Sequence, residues 1–142
     1  MEKRQVFFFR FGCWVALSIA IALLVGYLIG PTNPSNDLGR SFRALAMEER
    51  FLLPGGSDRT LMDFVNGFSL MFCVVVAGVG GLGLIVAHRG SDNDLLMLAV
   101  SRVLAITSLV LLGLSLTYFF IVPTLVIALM TCCFAFASVS KT

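Results

Sequence analysis

Charge and histidine are nearly missing from this chain. One His and one Trp stand among 142 residues, and charged side chains make up 13% of them. From Val103 to Ser140, 38 consecutive residues carry no charge at all. So little charge excludes a water-soluble domain, which would lack the polar surface to cover itself. A single His excludes a four-helix diheme cytochrome, which needs at least two axial His pairs. Ionisable groups at membrane depth are costly and persist where function requires them. A compact four-span proton-coupled exporter would carry a carboxylate in the middle of its first helix, and Val6–Ile29 contains none. A sterol isomerase or related sterol-binding protein would need acidic and His side chains in its pocket. A transporter or membrane enzyme is disfavoured on these grounds, and no catalytic residue is assigned.

Cysteine is missing from the polar loops. Cys13, Cys73, Cys132 and Cys133 all fall in apolar stretches. A disulfide framework, or a loop dithiol passing electrons to a quinone, needs Cys pairs near water, where thiolates form. Adjacent Cys132 and Cys133 point about 100° apart on a helix and chelate poorly. All four read as small apolar packing residues, and neither a metal nor a cofactor is expected. The net charge of +2 is small and the ten Lys and Arg residues are scattered, which argues against a nucleic-acid partner.

What remains is apolar: 58% of residues, with a mean hydropathy of +0.99. Taken as one helix, Val103–Ser140 would extend roughly 57 Å, almost twice the ~30 Å hydrocarbon core of a bilayer. Pro123 sits near its middle, so two spans joined by a tight turn are predicted. Another apolar run, broken only by Arg10, extends from Val6 to Ile29. It is too long for a signal-peptide core, despite the cleavage-like Ala20-Ile21-Ala22, and Gly30-Pro31 ends it. The sequence therefore predicts an all-α integral membrane protein, an antiparallel four-helix bundle forming a single domain over 1–142. Its spans are expected at about 6–29, 61–87, 95–120 and 122–140, with an outer loop at 31–60.

Within that loop, Ser35, Asn36 or Asp37 caps a helix predicted over 37–53, stopped by Pro54-Gly55-Gly56. Leu38, Phe42, Leu45 and Leu52 share one face of it, with Arg40, Arg43, Glu48 and Arg50 away from the centre of that face. This is the pattern of a short amphipathic helix on a membrane surface. Thr60 and Asp63 have the form of a capping box for the second span.

Small residues recur at helical spacing. The first span carries two ridges on nearly opposite faces: Gly12, Ala16, Ala20 and Ser18, Ala22, Gly26, Gly30. The second span carries Ala77 and Gly81 on one ridge and Gly80, Gly83 and Ala87 on another. Ser101, Ala105, Ser108, Leu112 and Ser115 form a seam on the third. In lipid, such ridges let backbones approach closely and gain dispersion contacts. Gly12, Gly26, Gly30, Gly78 and Gly81 are accordingly expected at helix–helix contacts. The cluster Gly78-Val79-Gly80-Gly81-Leu82-Gly83 lacks the Lys and the preceding strand of a phosphate loop.

Four spans place both termini on one side. A cytoplasmic placement puts Lys3, Arg4, Arg10, Arg89, Arg102 and Lys141 inside, against Arg40, Arg43, Arg50 and Arg59 outside. The polar candidates for a binding site are Asp63, Asn66 and Tyr27. Asp63 and Asn66 lie one turn apart at the outer end of the second span, where they would share a small-molecule headgroup or simply cap and brace the helix.

The stretch Asp63-Phe64-Val65-Asn66-Gly67-Phe68-Ser69-Leu70-Met71, together with Tyr118-Phe119-Phe120-Ile121-Val122-Pro123, resembles small four-span bacterial membrane proteins loosely similar to DoxX-like proteins. The resemblance covers about the last eighty residues. It implies a bundle in the bacterial inner membrane and carries over no activity and no catalytic residue. The expected role is a non-enzymatic accessory or assembly protein whose partners are the lipid bilayer and a membrane protein or a second copy of itself. The alternative is a binder of a lipid, quinone or other hydrophobic molecule, supported by thirteen Phe residues and the Asp63/Asn66 end of the bundle.

Overall fold

The computed structural model describes residues 3–29, 36–52, 58–89, 93–118 and 121–139. Their elements are α1 (Lys3–Ile29), α2 (Asp37–Glu48), β1 (Arg50–Leu52), β2 (Asp58–Thr60), α3 (Leu61–Arg89), α4 (Asp94–Tyr118) and α5 (Ile121–Ser138). Four of them, α1, α3, α4 and α5, are long and apolar enough to cross a bilayer, and they form an all-α helical bundle with α2 and the small hairpin between α1 and α3. Much of their outer surface is apolar: Leu28 is 71% exposed, Val74 70% and Leu116 70%. Hydrocarbon solvates such a surface and water does not, so the protein is an integral membrane protein.

Local chemistry sets the helix starts. Asn36 caps α2 by accepting the Gly39 N–H at 3.1 Å, and Asn93 caps α4 by accepting the Leu96 N–H at 3.1 Å. At α3 the capping box is reciprocal. Thr60 N–H donates to Asp63 Oδ2 at 3.1 Å, and Asp63 N–H donates to Thr60 Oγ1 at 3.1 Å. Each pair satisfies backbone donors that a helix start leaves without partners.

Two compact units make up the chain, one of Met1–Ile19 with Val76–Thr142 and the other of Ala20–Val75. In the first, α4 and α5 run antiparallel along a hydroxyl seam. Ser115 and Thr124 hydroxyls lie 2.9 Å apart, and Thr131 Oγ1 donates to the Ser108 carbonyl at 3.1 Å. Ser101, Ser108 and Ser115 are all buried, so the predicted seam faces inward. The N-terminal part of α1 lies antiparallel to α5, with the Phe9 and Phe134 rings 6.0 Å apart. Arg10 Nη2 donates to the Ala87 carbonyl at 3.0 Å. That bond places a cation on one of the last carbonyls of α3, where the helix dipole favours it.

The glycine contacts differ in part from expectation. A Cβ on Gly12 would stand 2.9 Å from Phe134 Cε1, so this ridge packs against α5 as predicted. In α3, Gly80 and Gly83 lie under α1: a Cβ on Gly80 would come within 3.0 Å of the Cys13 carbonyl oxygen, and one on Gly83 would collide with Cys13 Sγ. A Cβ on Gly78 or Gly81 meets nothing within 4 Å. The expectation that these two pack within the chain is therefore corrected. Gly78 and Gly81 are turned away from the face that holds Gly80, Gly83 and Ala87, and that face is the one buried against α1. Gly26, in the second unit, is likewise exposed with nothing within 4 Å of a Cβ. Gly30 lies outside the described residues.

In the second unit, Cys73 Sγ donates to the Ala20 carbonyl at 3.1 Å, tying α3 to α1. The helix predicted over 37–53 is shorter, because Glu49 adopts an extended backbone (φ −66, ψ 116). Residues 50–52 then pair antiparallel with 58–60 in the register Arg50↔Thr60, Phe51↔Arg59 and Leu52↔Asp58. Pro54-Gly55-Gly56, read in the sequence as a helix stop, lies outside the described residues but between two strands. Extended pairing gives the flanking backbone partners that one more helical turn beside a Pro would not. Leu52 thus leaves the helical face on which it was placed. Leu38, Phe42 and Leu45 remain on it and are exposed, an apolar face of the kind an interfacial helix carries.

Candidate functional site

An open cleft of about 500 Å³ lies in the second unit, formed by the C-terminal turn region of α1, strand β2 and the first turns of α3. Its polar lining is Tyr27, Arg59, Asp63 and Asn66, and its apolar lining includes Phe64, Phe68 and Leu70. The three polar residues singled out from the sequence therefore meet in one place. Asp63 and Asn66 lie one turn apart on α3, and antiparallel packing brings Tyr27 of α1 to them. Asn66 is half-buried while Asp63 is exposed.

Asp63 also serves as half of the capping box, and a carboxylate has capacity for both roles. Its two oxygens offer about four acceptor positions, of which the Thr60 N–H and the Thr60 side chain engage two. Arg59 and Arg50 act on it electrostatically, so the mouth of the cleft holds both signs of charge. Beside them, Phe64 and Phe68 lie one turn apart, their rings tilted by 52° with centroids 4.8 Å apart. Gly67 completes the lining with open space, since a Cβ there meets nothing within 4 Å.

Arg59 is the residue that sequence reasoning passed over. Read as part of a polar loop, it had no defined direction; β2 gives it one, four residues before Asp63. The turn-forming Pro54-Gly55-Gly56 was the one local signal of a hairpin; the triplets on either side are too short and too polar to read as strands. Chemically the site is suited to binding. It offers a guanidinium, a carboxylate, a phenol and an amide above an aromatic wall. Among the described residues, no group of three or more His, Cys, Asp or Glu is placed to hold a metal. Compared with protein-family models, with curated proteins and with solved structures, the chain matches none.

Proposed function

We propose that this chain is a non-enzymatic accessory or assembly protein of a membrane complex, binding a partner membrane protein or a second copy of itself. One observation carries the reading. Of the two small-residue ridges on α1, Gly12, Ala16 and Ala20 are buried, whereas Ser18, Ala22 and Gly26 are exposed. Apolar attraction does not drive helices together in lipid, so a small-residue ridge gains energy only when another backbone packs on it. The exposed ridge is thus suited to a further helix. Gly26→Leu would fill open space, so its melting temperature in detergent is expected to match the wild type, while its assembled form is lost on native size analysis. Wild type and variant of the same size, with the same co-purifying partners, would refute the reading.

The proposed setting is the bacterial inner membrane with both termini cytoplasmic, supported by the Lys3-Arg4-Arg10 cluster flanking the first span and by the resemblance to small four-span bacterial proteins. A thiol reagent that does not cross the membrane is expected to label Ser57→Cys from outside and Ser91→Cys only from inside. The reverse pattern would invert the orientation.

A second reading, a binder of a lipid, quinone or other hydrophobic molecule, is supported by the cleft that joins Tyr27, Asp63 and Asn66 to Phe64 and Phe68.

A further inference from the structure

We infer that the cleft in the second unit is a site for an amine-bearing phospholipid, with a phosphoethanolamine headgroup at its mouth and an acyl chain along its aromatic wall. The inference rests on the binder reading above and does not require the assembly reading. Depth is the first argument. Asp63 lies in the first turn of α3, at the end of a predicted span, where headgroups lie. Phe68 is seven residues beyond Leu61, about 10 Å further along the helix at ~1.5 Å per residue, where acyl chains begin. Arg59 and Asp63 therefore stand at the outer end of the cleft and Phe68 and Leu70 at its deeper end, the order of a phospholipid's headgroup and chain.

Charge is the second argument. A phosphodiester fits Arg59, whose planar fork of donors matches phosphate oxygens. A primary ammonium fits Asp63, whose acceptor positions exceed the two that Thr60 occupies. The Asn66 amide oxygen and the Tyr27 hydroxyl add acceptors for the remaining N–H groups. A quaternary ammonium has no N–H to give these acceptors, and a glycerol headgroup has no positive charge for the carboxylate. Among the ethanolamine, choline and glycerol headgroups, phosphoethanolamine alone matches both charges and the donor count. The walls account for the rest: Phe64 and Phe68 are exposed large apolar side chains beside Gly67, whose missing side chain keeps the space open.

The test uses the full chain in nanodiscs containing equal parts of phosphatidylethanolamine, phosphatidylcholine and phosphatidylglycerol, followed by extraction into mild detergent and native mass spectrometry of retained lipid. Phosphatidylethanolamine is expected to be retained about tenfold over the other two, the factor that one charge-assisted hydrogen bond supplies. Gly67→Leu, whose Cβ meets nothing within 4 Å and whose branched end would occupy the cleft, should abolish retention. Arg59→Gln, on the exposed hairpin, should weaken all three phospholipids. Asp63→Asn keeps an oxygen for the Thr60 N–H and should remove the preference for the ethanolamine lipid alone. Lipid content unchanged by Gly67→Leu and Arg59→Gln would overturn the binder reading itself. Retention that Gly67→Leu removes, but with no headgroup preference in the wild type, would overturn the phosphoethanolamine assignment.

Discussion

Gly80→Leu is expected to melt far below both the wild type and Gly81→Leu, although the two positions are neighbours in one helix. Helix propensity favours both variants over glycine by up to about 1 kcal/mol, so propensity does not separate them. Their surroundings do. A Cβ on Gly80 would sit 2.9 Å from Leu17 Cγ and 3.0 Å from the Cys13 carbonyl oxygen, whereas one on Gly81 meets nothing within 4 Å. The Leu17 side chain has rotamers through which it gives way, but the Cys13 oxygen belongs to the α1 backbone and moves only with the helix. Overpacking of this kind costs about 1–3 kcal/mol, and more where backbone must shift. Melting in detergent, followed by circular dichroism, checks the order. Equal melting of the two variants would mean that α1 does not lie over Gly80.

Phe134→Ala is the second large effect. The Phe134 ring is 1% exposed and meets Phe9 edge-on at 6.0 Å. Truncation of such a ring in a water-soluble core costs roughly 3–5 kcal/mol. In a bilayer the value should lie at the bottom of that range, because the reference environment is itself apolar and the loss is mainly cavity and dispersion. A double-mutant cycle isolates the contact. Gly12→Ala alone is expected to destabilise, since its Cβ would stand 2.9 Å from Phe134 Cε1. In the Phe134→Ala background the same change should cost less, because the methyl enters the vacated space while the Cys133 Cβ, at 3.2 Å, still crowds it. Additive effects would place Phe134 away from Gly12.

The spans and their starts were legible because the forces that set them are local. Any 18-residue apolar segment in a bilayer must satisfy its own backbone, and the helix does so unaided. The Thr60/Asp63 box and the Asn36 cap likewise act within four residues, and both are present as the residues indicate. The limits of α2 were less legible. Whether 50–52 extends a helix or pairs as a strand depends on 58–60, beyond the reach of a local pattern.

The faces that pack could not be chosen from the sequence. In water a helix marks its buried side by polarity, but α1 and α3 are apolar on every side, and lipid makes no distinction between a Leu facing it and one facing the bundle. Two ridges on α1 and two on α3 were equivalent as patterns; tertiary packing buried Gly12 and Gly80 and left Gly26 and Gly81 open. The cleft shows the same division. The sequence determined that Asp63 and Asn66 share a helix face, which is a matter of periodicity. Only the folded chain decided that Tyr27 comes to them from another helix and Arg59 from a strand, because those approaches are set by packing across distant parts of the chain.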